Sequence, residues 1–200
     1  MKGRYLFLLT STVLLFLVSC GVTNQKLRMS GVQNYVFPDI YDWNVKTGLF
    51  IFHSPTNSMD VAYGFSQRLH KKMLTRSLFK TITFVDLQIG NDELALRKGK
   101  ELGFDYVIYG SVNERVFVVR ADETKPFVSM SMKILDTKTG TTLWYIDDSI
   151  TGDAPMYKRL VGMDTYKDYP SVMFLEENLI TNVVNFLAEA KTKLKRQLKQ

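Results

Sequence analysis

The chain has 200 residues, 46% of them hydrophobic, 12% aromatic and 23% charged, with a formal net charge of +6. That balance allows one domain with a real core and excludes both a globally disordered chain and a polytopic membrane protein. Lys2 and Arg4 supply two of the positive charges, leaving +4 from Cys20 onward, and Lys191, Lys193, Lys195, Arg196 and Lys199 crowd the last ten positions. The excess is therefore a local tail, either a solvated helix end or a contact for anionic headgroups or a polyanion.

The chain opens with Lys2 and Arg4, continues with an apolar run from Tyr5 to Val18 broken only by Thr10-Ser11-Thr12, and then reaches Ser19-Cys20-Gly21. A basic start, a short apolar stretch and small residues form the three-part layout of a secretory signal. The apolar run is too short to span a bilayer comfortably, which takes about twenty residues. Leu17-Val18-Ser19-Cys20 resembles the bacterial lipobox, which implies cleavage before Cys20 and acyl chains such as palmitate on its sulfur and new amine. An unmodified thiol and an uncleaved anchor are the alternatives. Cys20 is the sole cysteine, so no disulfide staples the domain, and lipidation accounts for a residue otherwise left over in an exported chain. Several acyl chains make an anchor that hardly dissociates. Gly21 stands where an aspartate marks inner-membrane retention in many enterobacteria, so the expected address is the outer membrane, facing the periplasm. The expected organisation is a signal peptide over 1–19, a lipidated tether over 20–47 and a single α/β domain over 48–200.

After the polar tether, Leu49-Phe50-Ile51-Phe52 reads as a strand covered on both faces. An amphipathic helix is expected from Met59 to Phe79, capped by Asn57 or Ser58, with Ala62, Phe65, Leu69 and Met73 on one face. Thr81 to Val85 is a short β-branched strand, and Asp92 to Leu102 a helix ended by Gly103. Strands follow over Phe104–Asn113, Val116–Val119, the alternating Val128–Ile134 and Thr142–Ile146, the last two joined by a tight turn through Asp136-Thr137-Lys138-Thr139-Gly140. Gly152 to Pro170 is a long connection without a steady period. Leu175, Leu179, Val183, Leu187, Leu194 and Leu198 then mark a final helix over Ser171–Leu198. The order β-α-β-α-β-β-β-β-α predicts an α/β (α+β) fold with a mixed sheet and helices packed on it.

Two stretches carry a family resemblance. Glu101-Leu102-Gly103-Phe104-Asp105-Tyr106-Val107-Ile108-Tyr109-Gly110-Ser111-Val112 and Leu135-Asp136-Thr137-Lys138-Thr139-Gly140 with Leu143-Trp144 resemble segments of a group of exported α/β domains. The group includes the curli secretion lipoprotein (CsgG-like), the penicillin-binding-protein activator lipoprotein, the Pel polysaccharide export lipoprotein and the amino-terminal domain of TolB. The resemblance covers about Leu49 to Ile150. The first strand departs from the group's pattern in lacking a proline. The resemblance implies a non-enzymatic protein that builds a secretion ring or pore, or that activates a partner enzyme. A pore needs strands of about 9–11 residues with a lipid-facing side. The hairpin from Val116 to Leu135 is the one candidate, and the sheet already needs it.

Reactive constellations are few. His53 and His70 are the only histidines and have no second ligand at a metal-like spacing. His70 is expected on an exposed helix surface, and His53, at a strand end, is either plain structure or a functional group. Asp147 and Asp148 should point to opposite faces of their strand, and Glu176-Glu177 should open the last helix, where the dipole favours acids. There is no Gly-rich phosphate loop, no nucleophile elbow and no basic–aromatic stripe for nucleic acid. No catalytic residue, metal or cofactor is expected. The irregular connection holds Tyr157, Lys158, Arg159 and Tyr166, a mixture suited to a protein or glycan contact, or to packing its tyrosines on the last helix.

The reading that follows is a lipid-anchored, non-enzymatic accessory of envelope export or assembly, anchored through Cys20 and working as a homo-oligomer or with an envelope protein. The alternative is an activator or adaptor of a cell-wall synthesis enzyme. A hydrolase with an unfamiliar site is the third class.

Overall fold

A computed structural model describes residues 29–33, 42–55, 59–120, 123–152, 156–158, 166–168 and 170–197. Six strands, β1 (Met29–Gln33), β2 (Lys46–Ile51), β3 (Thr81–Gln88), β4 (Tyr106–Arg120), β5 (Glu123–Asp136) and β6 (Thr142–Thr151), form one sheet in the order β1-β6-β5-β4-β2-β3. Helices α1 (Met59–Thr75) and α3 (Val172–Gln197) cover one face, and the shorter α2 (Asp92–Glu101) sits on the other. A separate two-stranded ribbon pairs β7 (Met156–Lys158) with β8 (Tyr166–Asp168).

The predicted mixed sheet is present: β2 runs parallel to β3 and β4, and all the other pairs are antiparallel. The Leu49–Phe52 run is wholly excluded from water. Leu49, Ile51 and Phe52 enter the large core under α1 and α3, while Phe50 enters a small core with Ile89, Ala95, Val107, Tyr109 and Leu135 under α2. The end of the run is held from α1. Ser66 Oγ donates to Ala62 O (2.7 Å) and accepts from Phe52 N (2.9 Å), and Gln88 Nε2 donates to Phe52 O (3.0 Å). The large core is closed by aromatics. Trp43 lies 5.3 Å from Phe79 and 6.1 Å from Trp144, and Phe186 of α3 meets Trp144 edge-on at 5.9 Å, geometries that suit the ring quadrupole.

Three differences from the sequence reading alter the topology or the core. The strands expected at Phe104–Asn113 and Val116–Val119 are one strand, β4, in near-continuous register with β5. The polar residues between them, Glu114 and Arg115, pair with Val128 and Phe127, because a strand tolerates polar residues wherever its faces are not core. Helix α1 ends at Thr75 rather than Phe79, since Ser77 adopts a positive φ of 47° and turns Leu78 and Phe79 into the core. The segment read as tether contributes β1, which pairs with β6. The expected caps Asn57 and Ser58 lie outside the described residues, as does Leu198, whereas Ser171 Oγ accepts from Phe174 N (3.2 Å) and caps α3.

The family-like glycines have structural duties. Gly140 takes φ +76°, which a turn closed by Asp136 requires: Asp136 Oδ1 accepts from Lys138 N (2.7 Å) and Thr139 N (3.2 Å). Gly110 lies where a Cβ would stand 2.0 Å from the backbone oxygen of Ser131 and 2.9 Å from the Phe52 ring. Because the first obstacle is backbone, the strand cannot yield without parting from β5. Gly110→Ala should therefore cost about 1–3 kcal/mol or more, as overpacking does, read as a lower midpoint in thermal or urea unfolding.

Candidate functional site

The sheet's two faces are finished differently. Even-numbered residues from Tyr106 to Val112, Val128 to Ile134 and Trp144 to Ile150 face the large core, whereas α2 covers the odd-numbered face only around Val107, Tyr109 and Leu135. Beyond α2 that face continues in register as Ser111, Ser131 and Asp147, then Asn113, Ser129 and Ser149, then Arg115, Phe127 and Thr151. Asp147 and Arg115 are exposed and the other seven half-buried. Ser111 Oγ and Ser131 Oγ lie 2.9 Å apart. His53, exposed, forms a parallel bridge with Ser111, donating from its backbone to Gly110 O (2.8 Å) and accepting from Val112 N (2.9 Å). Small hydroxyl and amide side chains leave this part of the sheet flat and rich in both donors and acceptors, properties that suit a protein surface better than a reaction centre.

A charged cluster borders the open face. Asp92, in the first turn of α2, accepts a hydrogen bond from Tyr109 Oη and is gripped by Lys133 Nζ at 2.9 and 3.1 Å. Burial pushes the Asp92 carboxyl up, but the hydrogen bonds from Tyr109 and Lys133 and the lysine charge outweigh it and hold its pKa below the usual carboxylate range. Burial, then the bond to Asp92 and its negative charge, push the Tyr109 phenol far up, so it stays a donor at every physiological pH. Asn91 caps the helix, its side chain accepting from Leu94 N at 2.8 Å. The cluster locks α2 to β4 and β5 and fixes the upper border of the serine-rich surface.

A second feature lies on the opposite side of the sheet, at the amino-terminal ends of α1 and α3. A groove of about 370 Å³ is lined by Asp60, Val61, Gly64, Arg68, Glu114, Val172, Met173 and Glu176. Glu176 is only 4% exposed; its Oε2 accepts from Arg68 Nη2 at 2.5 Å, and Arg68 Nε lies 3.4 Å from Glu177. The other oxygen, Oε1, is buried as well, and the neighbouring carboxyl is that of Glu114. A second carboxyl alongside disfavours ionisation of the first. Burial, the hydrogen bond with Glu114 and the charges of Glu114 and Glu177 push Glu176 up to about 8 against the pull of Arg68. Asp148 is buried too, its pKa raised to about 6, mainly by burial.

The placement of the expected site residues is mixed. Leu17, Val18, Ser19, Cys20 and Arg159 lie outside the described residues. Tyr157, Lys158 and Tyr166 belong to β7 and β8, where Lys158 pairs with Tyr166 and Tyr157 with Lys167. The long connection thus contains a ribbon, whose three-residue strands are too short to show alternation in a sequence. His70 is not simply an exposed helix residue: a ring nitrogen lies 3.1 Å from Ile82 O and the ring 5.7 Å from Phe84. Asp147 and Asp148 do face opposite ways, one exposed and one buried. Glu176 and Glu177 do not open α3, whose first turn is free of acids; they lie one turn further in, where Glu176 meets Arg68. The serine surface was half visible in the alternation of Ser129 and Ser131, but its continuation onto Ser111 and Ser149 depends on register. Among the described residues, no group of three His, Cys, Asp or Glu side chains is placed to hold a metal ion.

Known proteins resemble this arrangement in part. The family model of the peptidoglycan-synthase activator LpoB matches residues 80–150. That span holds β3, α2 and nearly all of the strands β4–β6 that carry the serine surface. No curated protein matches the chain. Among solved structures, the chain is similar to two PelC dodecamers from Paraburkholderia phytofirmans. One, a single-substitution variant, is 13% identical over 79% of this chain and 97% of that one, with a TM-score of 0.56. The other is 14% identical over 79% and 96%, also at 0.56. Lipoprotein GNA1162 from Neisseria meningitidis is 14% identical over 72% and 98%, at 0.45. The PelC likeness shows that the fold is shared.

Two buried carboxyls, Glu176 and Asp148, make stability depend on pH. An acid whose folded pKa lies above its unfolded value binds more protons in the native state, so stability falls as pH rises between the two values. For Glu176 that window runs from its ordinary 4.5 up to about 8, and for Asp148 from 3.8 to about 6. Chemical denaturation from about pH 5 to about pH 8 should show wild type losing stability, with Glu176→Gln clearly flattening the slope above about pH 6.

Proposed function

We propose that this protein is a lipid-anchored, periplasm-facing accessory of the outer membrane that stimulates a peptidoglycan synthase by direct contact. The observation that carries the reading is the match of residues 80–150 to the peptidoglycan-synthase activator LpoB. The matched strands are the ones whose odd-numbered residues form the open polar surface. A flat, hydrogen-bonding face bordered by Lys133, Tyr145, Asp147 and Arg115 offers a partner both signs of charge and aromatic area. The ribbon of Tyr157, Lys158 and Tyr166, with Arg159 beside it in sequence, is a candidate second contact. Activation of this kind needs no reacting group on the activator, in keeping with a non-enzymatic role. Anchorage rests on Cys20 and the Leu17-Val18-Ser19 segment before it.

A second reading is self-assembly in envelope export. The fold is shared with PelC, a dodecamer, over nearly all of that chain. Under this reading the open face meets another copy, and full-length protein extracted from membranes should have a discrete multi-subunit mass by light scattering.

The activator reading predicts that the purified protein raises the rate of glycan polymerisation by a peptidoglycan synthase of the same organism. Ser131→Arg, which sets a long cation in the middle of the flat face, should abolish the effect and weaken binding by about tenfold or more, the scale of an interface residue contributing about 1.4 kcal/mol. Unfolding midpoints should stay near wild type. A synthase whose rate is the same with and without the wild-type protein contradicts the reading.

A further inference from the structure

The groove between α1, α3 and β4 has an apolar rim that the activator reading leaves unused. Met59 is 59% exposed, Val116 57%, Met173 61% and Phe174 42%. Met173 lines the groove itself, Phe174 follows it in the first turn of α3, Met59 opens α1 beside the lining residue Asp60, and Val116 lies one step beyond Glu114 on the same side of β4. Large apolar side chains gathered around one groove mark a surface with a partner, and unbranched methionines adapt to a fluid one.

Sheet register shows which end of the domain this is. Met29, the first residue of β1, pairs with Ile150, Ile150 with Val128, and Val128 with Glu114. The chain coming from Cys20 therefore joins the sheet in the row of the groove's own Glu114, about 14 Å away at the usual strand spacing. Nine peptide steps separate Cys20 from Met29, a reach of about 30 Å at most. An anchor on Cys20 therefore keeps this end of the domain within about 30 Å of its membrane.

We infer that the rim of Met59, Val116, Met173 and Phe174 docks on the phospholipid surface to which Cys20 is tethered, seating among zwitterionic rather than anionic headgroups. The headgroup preference follows from charge: Asp60, Glu114 and Glu176 line the groove with Arg68, which Glu177 also approaches to 3.4 Å, a balance that anionic lipid repels. Docking would hold the domain in one orientation, with the serine face, on the other side of the sheet, standing free of the membrane. The inference rests on the lipid-anchor reading, and the two can fail separately.

The test uses the full chain purified from membranes and reconstituted in vesicles of phosphatidylethanolamine and phosphatidylcholine, with Met173→Cys or Val116→Cys carrying an environment-sensitive fluorophore. Leu102→Cys, exposed at the far end of the domain, is the reference. The mass of the amino-terminal peptide reports whether Cys20 bears lipid. The expected result is lipid on Cys20 and several-fold stronger quenching by spin-labelled lipid at positions 173 and 116 than at 102, falling when phosphatidylglycerol replaces the neutral lipids. Lipid on Cys20 with equal, weak quenching at all three positions overturns docking and leaves the anchor standing. A chain without lipid that does not bind vesicles overturns both. Shielding of the Met173→Cys label without vesicles, rising with protein concentration, would assign the rim to a second copy and overturn the inference as well.

Discussion

The structure depends on the burial of one strand from both sides. Leu49 to Phe52 gives no surface to water, and it can do so only because β3 and β4 flank it while helices close over both faces. Each fully buried side chain of this size contributes about 1.5–3 kcal/mol, so these four residues supply a large share of the marginal stability of such a domain. Parallel pairing on both sides forces two crossover connections, α1 and α2. These go to opposite faces, which creates the two cores and leaves α2, the shorter helix, unable to cover its whole side.

That asymmetry of cover links fold to function. One face is sealed by two long helices and a cluster of Trp43, Phe79, Trp144 and Phe186. On the other, sealing stops at the Asp92–Tyr109–Lys133 cluster, and the strands go on with serine, asparagine and aspartate. An antiparallel sheet can face water in this way, and the sequence avoids an aggregation-prone surface by using small polar side chains there. The same choice produces a broad, flat area rich in hydrogen-bonding groups, on the very segment that matches the peptidoglycan-synthase activator LpoB. The buried Glu176, paired with Arg68, belongs to the sealed side, where the helix ends stop short of the long β4–β5 hairpin.

Much of this was legible in the sequence, for identifiable reasons. The unbroken Leu49–Phe52 run, the alternation from Val128 to Ile134 and the Thr139-Gly140 turn are local signals, and each led to the right element. What escaped depends on contacts distant in sequence. The union of two expected strands into β4 needed β5 as a template, and the pairing of β1 with β6 joins the two ends of the sheet-forming chain, Met29 to Ile150. Glu176 reads as a helix-opening acid until Arg68 and Glu114, from two other elements, are placed beside it. His70 reads as a surface residue until Ile82 and Phe84 come near. The ribbon carrying Tyr157, Lys158 and Tyr166 is too short for its pattern to register at all. The serine surface was written as alternate residues on separate strands, and only register assembles them.

If the protein works through protein contact on the open face of its sheet, a partner must lie against Ser131 in the cell. A photo-crosslinking residue placed at Ser131 in the full-length protein, in growing cells, tests this most directly, with Leu102 as the reference position. The expected result is a dominant adduct from position 131, identified by mass spectrometry as a peptidoglycan synthase, and little from position 102. Adducts absent from position 131, in cells where the protein is present and folded, would contradict contact through this face.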